Sequence, residues 1–229
     1  MIFRNKKANL AEGLAKYEKE PPGYKKKTRT VPETAPRYVY DKEENCYRNT
    51  ETRSSNTARL MCVGDLMCEE KMYKAYNFDD KFLPYGIFYY VKKVFAEADF
   101  VIGNLETTIC EEAPYTGEEY KINGKYHCNA PASYLDILKY AGFDMFALSN
   151  NHNLDCGALG IGETIEEVEK RKFLHTGLYT DPNEKDRYVV VNINGIKVAF
   201  LSYSTWFNKN LSRLTEKGQG LLNIYDIEK

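Results

Sequence analysis

Several things are missing, and each narrows the field. No apolar run of the chain reaches the ~18–20 residues that a membrane-spanning helix needs. The first residues, MIFRNKKANLAEGLAKYEKE, carry charge but no apolar centre. No secretory signal is therefore expected, and the expected location is the cytoplasm. Basic and acidic residues nearly cancel, at 32 against 33, so there is no polybasic footprint for nucleic acid. The cysteines at 46, 62, 68, 110, 128 and 156 form no C-x-x-C pair, which argues against a zinc ribbon or a thioredoxin-like site. They are expected as reduced thiols serving as small apolar residues. No G-x-G-x-x-G follows the first strand pattern, which disfavours a dinucleotide-binding domain. Histidine is scarce: His127, His152 and His175 are all there are.

What is present divides in two. Residues 1–57 are charged and proline-broken, as in KYEKEPPGYKKKTRTVPETAPRY. They hold too little apolar surface to fold alone and are expected as an extension. From 58 to 229 the pattern is regular. RLMCVG, DFVIG, FDMFALS and FLHTGL read as short buried strands. YGIFYYVKKVFAEA places Ile87, Val91, Val94, Phe95 and Ala98 at helical spacing. PASYLDILKYAG has Pro131 at a helix start and Gly142 at its end. GALGIGETIEEVEKRK is a third helix. Asn123-Gly124 and Asn194-Gly195 each predict a hairpin, and GLLNIYD a last strand. Strands alternating with helices make this a layered α/β domain, with hairpins that mix the sheets.

Three of the strands end alike. LMCVG runs into Asp65. FVIG runs into Asn104 and then Glu106. FALS runs into Asn150, Asn151 and His152, with Asp155 close behind. Any one of these could be a turn or a cap. Ligands of open α/β sheets bind outside the carboxyl ends of the strands, so three loaded ends predict a functional rim if the strands are parallel neighbours. Carboxylates, carboxamide oxygens and imidazole suit a divalent cation such as Mn, Mg, Fe or Zn. Gly64 and Gly103 are read as relieving tight turns before the polar residues.

VGDLM, ADFVIGNLETTI, AGFDMFALSNNHNLDCG and NGIKVAFLSYS, in that order and spacing, resemble the CapA family of proteins associated with bacterial poly-gamma-glutamate capsule synthesis. The match runs from about Arg59 to the end of the chain. That family's domain is similar to the calcineurin-like metallophosphoesterase fold, a four-layer α/β/β/α sandwich. The resemblance implies a metal-ligating Asp65, further ligands at Asn104 and Glu106, a ligand Asn151, and an acid at His152. The implied chemistry is attack of metal-activated water on a phosphoester, with an anionic polymer or phosphoester as substrate and capsule-synthesis subunits as partners. The alternative is a polymer-binding or assembly protein on a degenerate scaffold. Two departures support the alternative. The phosphoesterase Asp-x-His reads here as Asp65-Leu66-Met67, and its Gly-Asp as Gly103-Asn104. Further histidines of the fold would come after Lys229, so the chain is expected to be the front part of a longer protein. His127 and His175 are expected to be structural, and Asp155 to brace its loop.

Overall fold

The computed structural model describes residues 35–51, 55–76, 85–116, 127–184 and 187–225. In chain order the strands are β1 (Tyr38–Asp41), β2 (Cys46–Asn49), β3 (Leu60–Asp65), β4 (Phe100–Asn104), β5 (Thr108–Ile109), β6 (Asn129–Ala130), β7 (Met145–Ala147), β8 (Leu174–Thr176), β9 (Val189–Ile193) and β10 (Ile196–Phe200). The helices are α1 (Glu70–Tyr76), α2 (Tyr89–Phe95), α3 (Ser133–Ala141), α4 (Gly157–Lys170) and the single turn α5 (Glu216–Gln219).

One sheet has the order β3-β4-β7-β8, and all of its pairings are parallel. A second has the order β1-β2-β9-β10. It joins two antiparallel hairpins through a parallel pairing of β2 with β9. A short parallel pair, β5 and β6, stands apart. Among the described residues the mixing expected from the hairpin signals is found in the second sheet.

Residues along a strand alternate between faces, and this builds two cores. Val101 and Phe146 pack under Leu135 and Leu138 of α3 and Ile161, Ile165 and Val168 of α4. Their neighbours Phe100 and Met145 point the other way, onto Tyr38, Val191 and Ile193 of the second sheet. The layers are therefore helices, parallel sheet, mixed sheet. Among the described residues the far face of the mixed sheet leaves Val39 and Ile196 each 44% exposed, so three layers are seen where the resemblance implies four.

Local chemistry explains the turns. Asn194 and Gly195 both take positive φ, 53° and 88°, which the tight turn between β9 and β10 requires. Gly142 ends α3 in the left-handed conformation, with its N–H on Leu138 and Lys139 carbonyls, as glycine readily does.

Several expectations need correcting. Residues 38–49, within the stretch read as a charged arm, form the β1–β2 hairpin of the mixed sheet. β3 is an edge strand, half exposed rather than buried, and it continues through Gly64 to Asp65. Cys62 is accordingly exposed, while the other five cysteines are buried. α2 ends at Phe95, short of Ala98, and leaves Val91 and Val94 at 39% and 50% exposure. GLLNIYD forms isolated bridges at Leu222 and Ile224 in place of a strand. The hairpin at Asn123-Gly124 lies outside the described residues. No helix among the described residues is long and apolar enough to cross a membrane.

Candidate functional site

β3, β4 and β7 are parallel neighbours, so their carboxyl ends share one rim. Asp65 is the last residue of β3 and, after a shift of register between Cys62 and Asp65, pairs with Asn104, the last of β4. The ladder continues one residue further: Leu66 N–H donates to the Asn104 carbonyl at 2.7 Å and Leu105 N–H to the Ala147 carbonyl at 3.0 Å. Gly103 makes this convergence possible, though not by relieving a turn. A Cβ there would lie 2.7 Å from Leu66 Cδ1 and 3.1 Å from Phe143 Cε1, so a side chain at this position would have to push Leu66 and Phe143 aside where the chain after β3 closes over β4. Around Gly64 there is open space.

Asn104 ties the rim together. Its Nδ2 donates to Asp65 Oδ1 at 2.8 Å and to Glu106 Oε2 at 3.0 Å. Its Oδ1 accepts from Asn150 Nδ2 at 3.1 Å, and Asn150 Nδ2 also reaches the Leu105 carbonyl at 2.9 Å. Asn150 Oδ1 in turn accepts the His152 N–H at 3.1 Å. Asn153 closes the loop on itself, taking the Asn150 N–H at 2.7 Å and donating to the Leu148 carbonyl. The run of asparagines after β7 thus satisfies the backbone of a tight, buried loop.

That loop presents His152. Its Nδ1 lies 2.7 Å from Asp155 Oδ2, which also accepts the Cys128 N–H at 2.6 Å. A carboxylate only accepts, so Nδ1 carries the proton. Nε2 lies 3.9 Å from Glu106 Oε1. Thr108 Oγ1 fixes the His152 carbonyl at 2.9 Å, and Arg213 Nη1 holds the Leu154 carbonyl at 3.1 Å.

The field at this mouth is negative. Burial works against the charged imidazolium of His152, but the Asp155 hydrogen bond and the carboxylates of Glu106 and Glu69 outweigh it and raise its pKa above the ordinary 6.5. Burial, then the hydrogen-bonded Asp65 carboxylate, pushes Glu106 above the usual range. Two carboxylates in contact resist joint ionisation.

The structure thus brings Asp65, Asn104, Glu106 and His152 into one contact network. Asn151 stands to one side, its Nδ2 donating to Asn208 Oδ1 at 3.3 Å. His127 and His175 are engaged elsewhere, on the Pro114 carbonyl and on Glu169. Sequence reasoning missed Asn150 as the stitch between loops, because its amide looks like an ordinary turn residue. It also missed Asn208 and Arg213, which arrive from a distant segment without a strand-end signature.

As donors for a divalent cation, Asp65 and Glu106 fit as a pair of adjacent hard carboxylates whose mutual repulsion a dication relieves. Asn104 turns its N–H, not its oxygen, toward them. Among the described residues no three His, Cys, Asp or Glu side chains surround one point.

Residues 59–222 match the family described as "Bacterial capsule synthesis protein PGA_cap". Among curated proteins the chain is similar to "Capsule biosynthesis protein CapA" of Bacillus anthracis, 27% identical over 158 residues, covering 68% of this chain and 36% of that protein. It is also similar to "PGA biosynthesis protein CapA" of Bacillus subtilis, 26% identical over 157 residues, covering 67% and 39%. An "Uncharacterized protein y4sH" of Sinorhizobium fredii is 31% identical over 111 residues, covering 48% and 24%. The chain therefore spans well under half the length of the curated relatives it matches.

Proposed function

Because the chain belongs to the bacterial capsule synthesis protein family that its residues 59–222 match, we propose that it serves the synthesis of a capsule-type polymer and hydrolyses a phosphoester bond at the rim of β3, β4 and β7. The observation that carries this is the His152–Asp155 pair. An imidazole held at Nδ1 by a carboxylate, with Nε2 3.9 Å from Glu106 Oε1, has the construction of a general acid–base.

Each group has a role. His152 keeps its proton to a higher pH than an ordinary histidine, so near neutrality it donates from Nε2 to the leaving oxygen as the ester bond breaks. Asp155 fixes the tautomer and steadies the imidazolium. Asp65 and Glu106 would hold a divalent cation, which would supply positive charge for the developing phosphoryl charge and lower the pKa of a water. Asn104 and Asn150 keep the carboxylates and the loop in register.

The test is hydrolysis of bis(p-nitrophenyl) phosphate by the full chain with Mn, Zn or Mg added singly. The expected result is metal-dependent turnover that falls about 100-fold or more in His152→Ala, the usual worth of a general acid. No turnover with any of these metals, together with no metal retained on dialysis, would refute the hydrolytic reading. A second reading, polymer binding without chemistry, is favoured by the Asn104 N–H between the carboxylates. It predicts that His152→Ala leaves capsule production intact in cells that lack the natural copy.

A further inference from the structure

Two of the buried cysteines lie side by side. Cys110 follows β5 and Cys156 precedes α4, far apart in the chain, yet they pack into one small buried cluster with Ala113 and Leu159. Their thiols are hydrogen-bond partners, and the Glu163 carboxyl hydrogen-bonds the Cys110 thiol as well. Both are thiols in the structure, 0% and 3% exposed. Their backbones are firmly set. Asn129 Oδ1 accepts the Cys110 N–H at 2.9 Å, and its Nδ2 donates to the Cys110 carbonyl at 2.8 Å. The Cys156 carbonyl accepts the Gly160 N–H at 3.1 Å. A Cβ at Gly160 would lie 2.6 Å from Cys156 Cβ, so a side chain there would have to push Cys156 from its place beside Cys110.

Packing alone asks only for small apolar residues at these positions. Two side chains whose sulfurs are already in contact also meet the first geometric demand of a disulfide. The pair flanks the candidate site. Cys156 directly follows Asp155, which holds His152 Nδ1. Thr108, on β5 just before Cys110, holds the His152 carbonyl through Oγ1.

We propose that Cys110 and Cys156 form a disulfide that fastens the end of the His152 loop to the β5 segment. The step is thiol–disulfide exchange with a small-molecule disulfide such as oxidised glutathione. One cysteine thiolate attacks that disulfide, forming a mixed disulfide and releasing one glutathione thiolate. The second cysteine thiolate attacks the protein sulfur of the mixed disulfide, and the other glutathione leaves. The cysteine pair loses two electrons, the glutathione disulfide gains them, and both thiol protons end on glutathione. In the folded chain the Cys156 partner, then burial, hold the Cys110 thiol well above its ordinary 9.0, and a buried thiol of this kind is inert. The exchange therefore belongs to folding, before the cluster closes, and the finished bond is shielded from reductants. It stands whether or not the rim hydrolyses an ester.

The test refolds the full chain from urea in a buffer of reduced and oxidised glutathione. Free thiols are then alkylated, and the digested chain is mapped by mass spectrometry. The expected product is a peptide pair linked through Cys110 and Cys156, with the exposed Cys62 alkylated. Closing a loop of roughly 45 residues should raise the urea midpoint of the oxidised chain by about 1 M over that of the reduced chain. Dithiothreitol added in urea should remove the gain, and Cys110→Ala should abolish both link and gain. The map of the wild-type chain holds even if that variant folds poorly. Alkylation of both Cys110 and Cys156, linkage of either to another cysteine in place of its neighbour, or an oxidised chain no more stable than the reduced one would each overturn the proposal.

Discussion

Asp155 decides what His152 can do. Its carboxylate is the strongest influence holding the imidazole protonated against burial, and it fixes Nδ1 as the protonated nitrogen. Asp155→Asn is expected to lower the His152 pKa, because the charge that raised it is gone while burial remains. Titration of the His152 ring signals by NMR would show the midpoint falling, and turnover near neutrality should drop by roughly two orders of magnitude as the acid form is lost. An unchanged midpoint would contradict the pairing. Residues at this scale were legible to the extent that they sat at strand ends. Asp65, Asn104, Glu106 and His152 could be picked out because each follows an apolar run by one to five positions. Asn208 could not, since nothing in WFNKN marks it as a neighbour of Asn151 across more than fifty residues.

At the scale of elements, α4 and β5 are bound by buried polar contacts. Thr164 Oγ1 accepts the Ile109 N–H at 2.9 Å and Glu163 Oε2 accepts the Glu111 N–H at 2.8 Å. Glu163 is 4% exposed. Burial first, and the nearby Glu112, push its carboxyl from the ordinary 4.5 up to about 7. The folded chain therefore keeps a proton that the unfolded chain releases, so this group's contribution favours folding at low pH and is lost as pH rises from about 4.5 to about 7. The whole effect is on the order of 3 kcal/mol. Glu163→Gln keeps an oxygen for Glu111 but cannot ionise. Its urea-unfolding free energy should vary less between pH 5 and pH 8 than that of the wild type, and the variant should be the more stable of the two at pH 8. Elements with strong local signatures were readable from sequence: the Asn194-Gly195 hairpin, and α3 up to Gly142. β1 and β2 were not, because their YVYD and CYRN segments alternate weakly and owe their order to pairing with β9.

Across the whole molecule, the segment leading into the N-terminal hairpin and the parallel sheet meet at a partly buried ion pair. Arg37 Nη1 lies 2.8 Å from Asp144 Oδ1, and Asp144 Oδ2 accepts the Val101 N–H at 2.9 Å. Burial holds the Asp144 carboxyl above its usual range even with Arg37 present. Arg37→Ala would leave that carboxylate without its cation. The half-exposed arginine tempers the loss, so about 1–3 kcal/mol of stability is expected to go. The loss should be larger at pH 8 than at pH 5, since a raised carboxyl weakens the fold as it ionises. Thermal melts at the two pH values check this. The three visible layers followed from the alternation of strands and helices. The assignment of residues 38–49 to a sheet depended on partners near the other end of the chain, which no local pattern encodes.

That long-range partnership sets an order of events at the ribosome. Tyr47 pairs with Val191 and Arg48 with Asn192, so the β1–β2 ribbon emerges early and has no partner strand until the β9 segment has been made. Two-stranded ribbons are marginal alone in water, and contacts that close so large a loop form slowly. The parallel sheet and its helices can assemble first, with the nascent ribbon joining last, and a chaperone that shields an exposed strand edge would find its client in that interval.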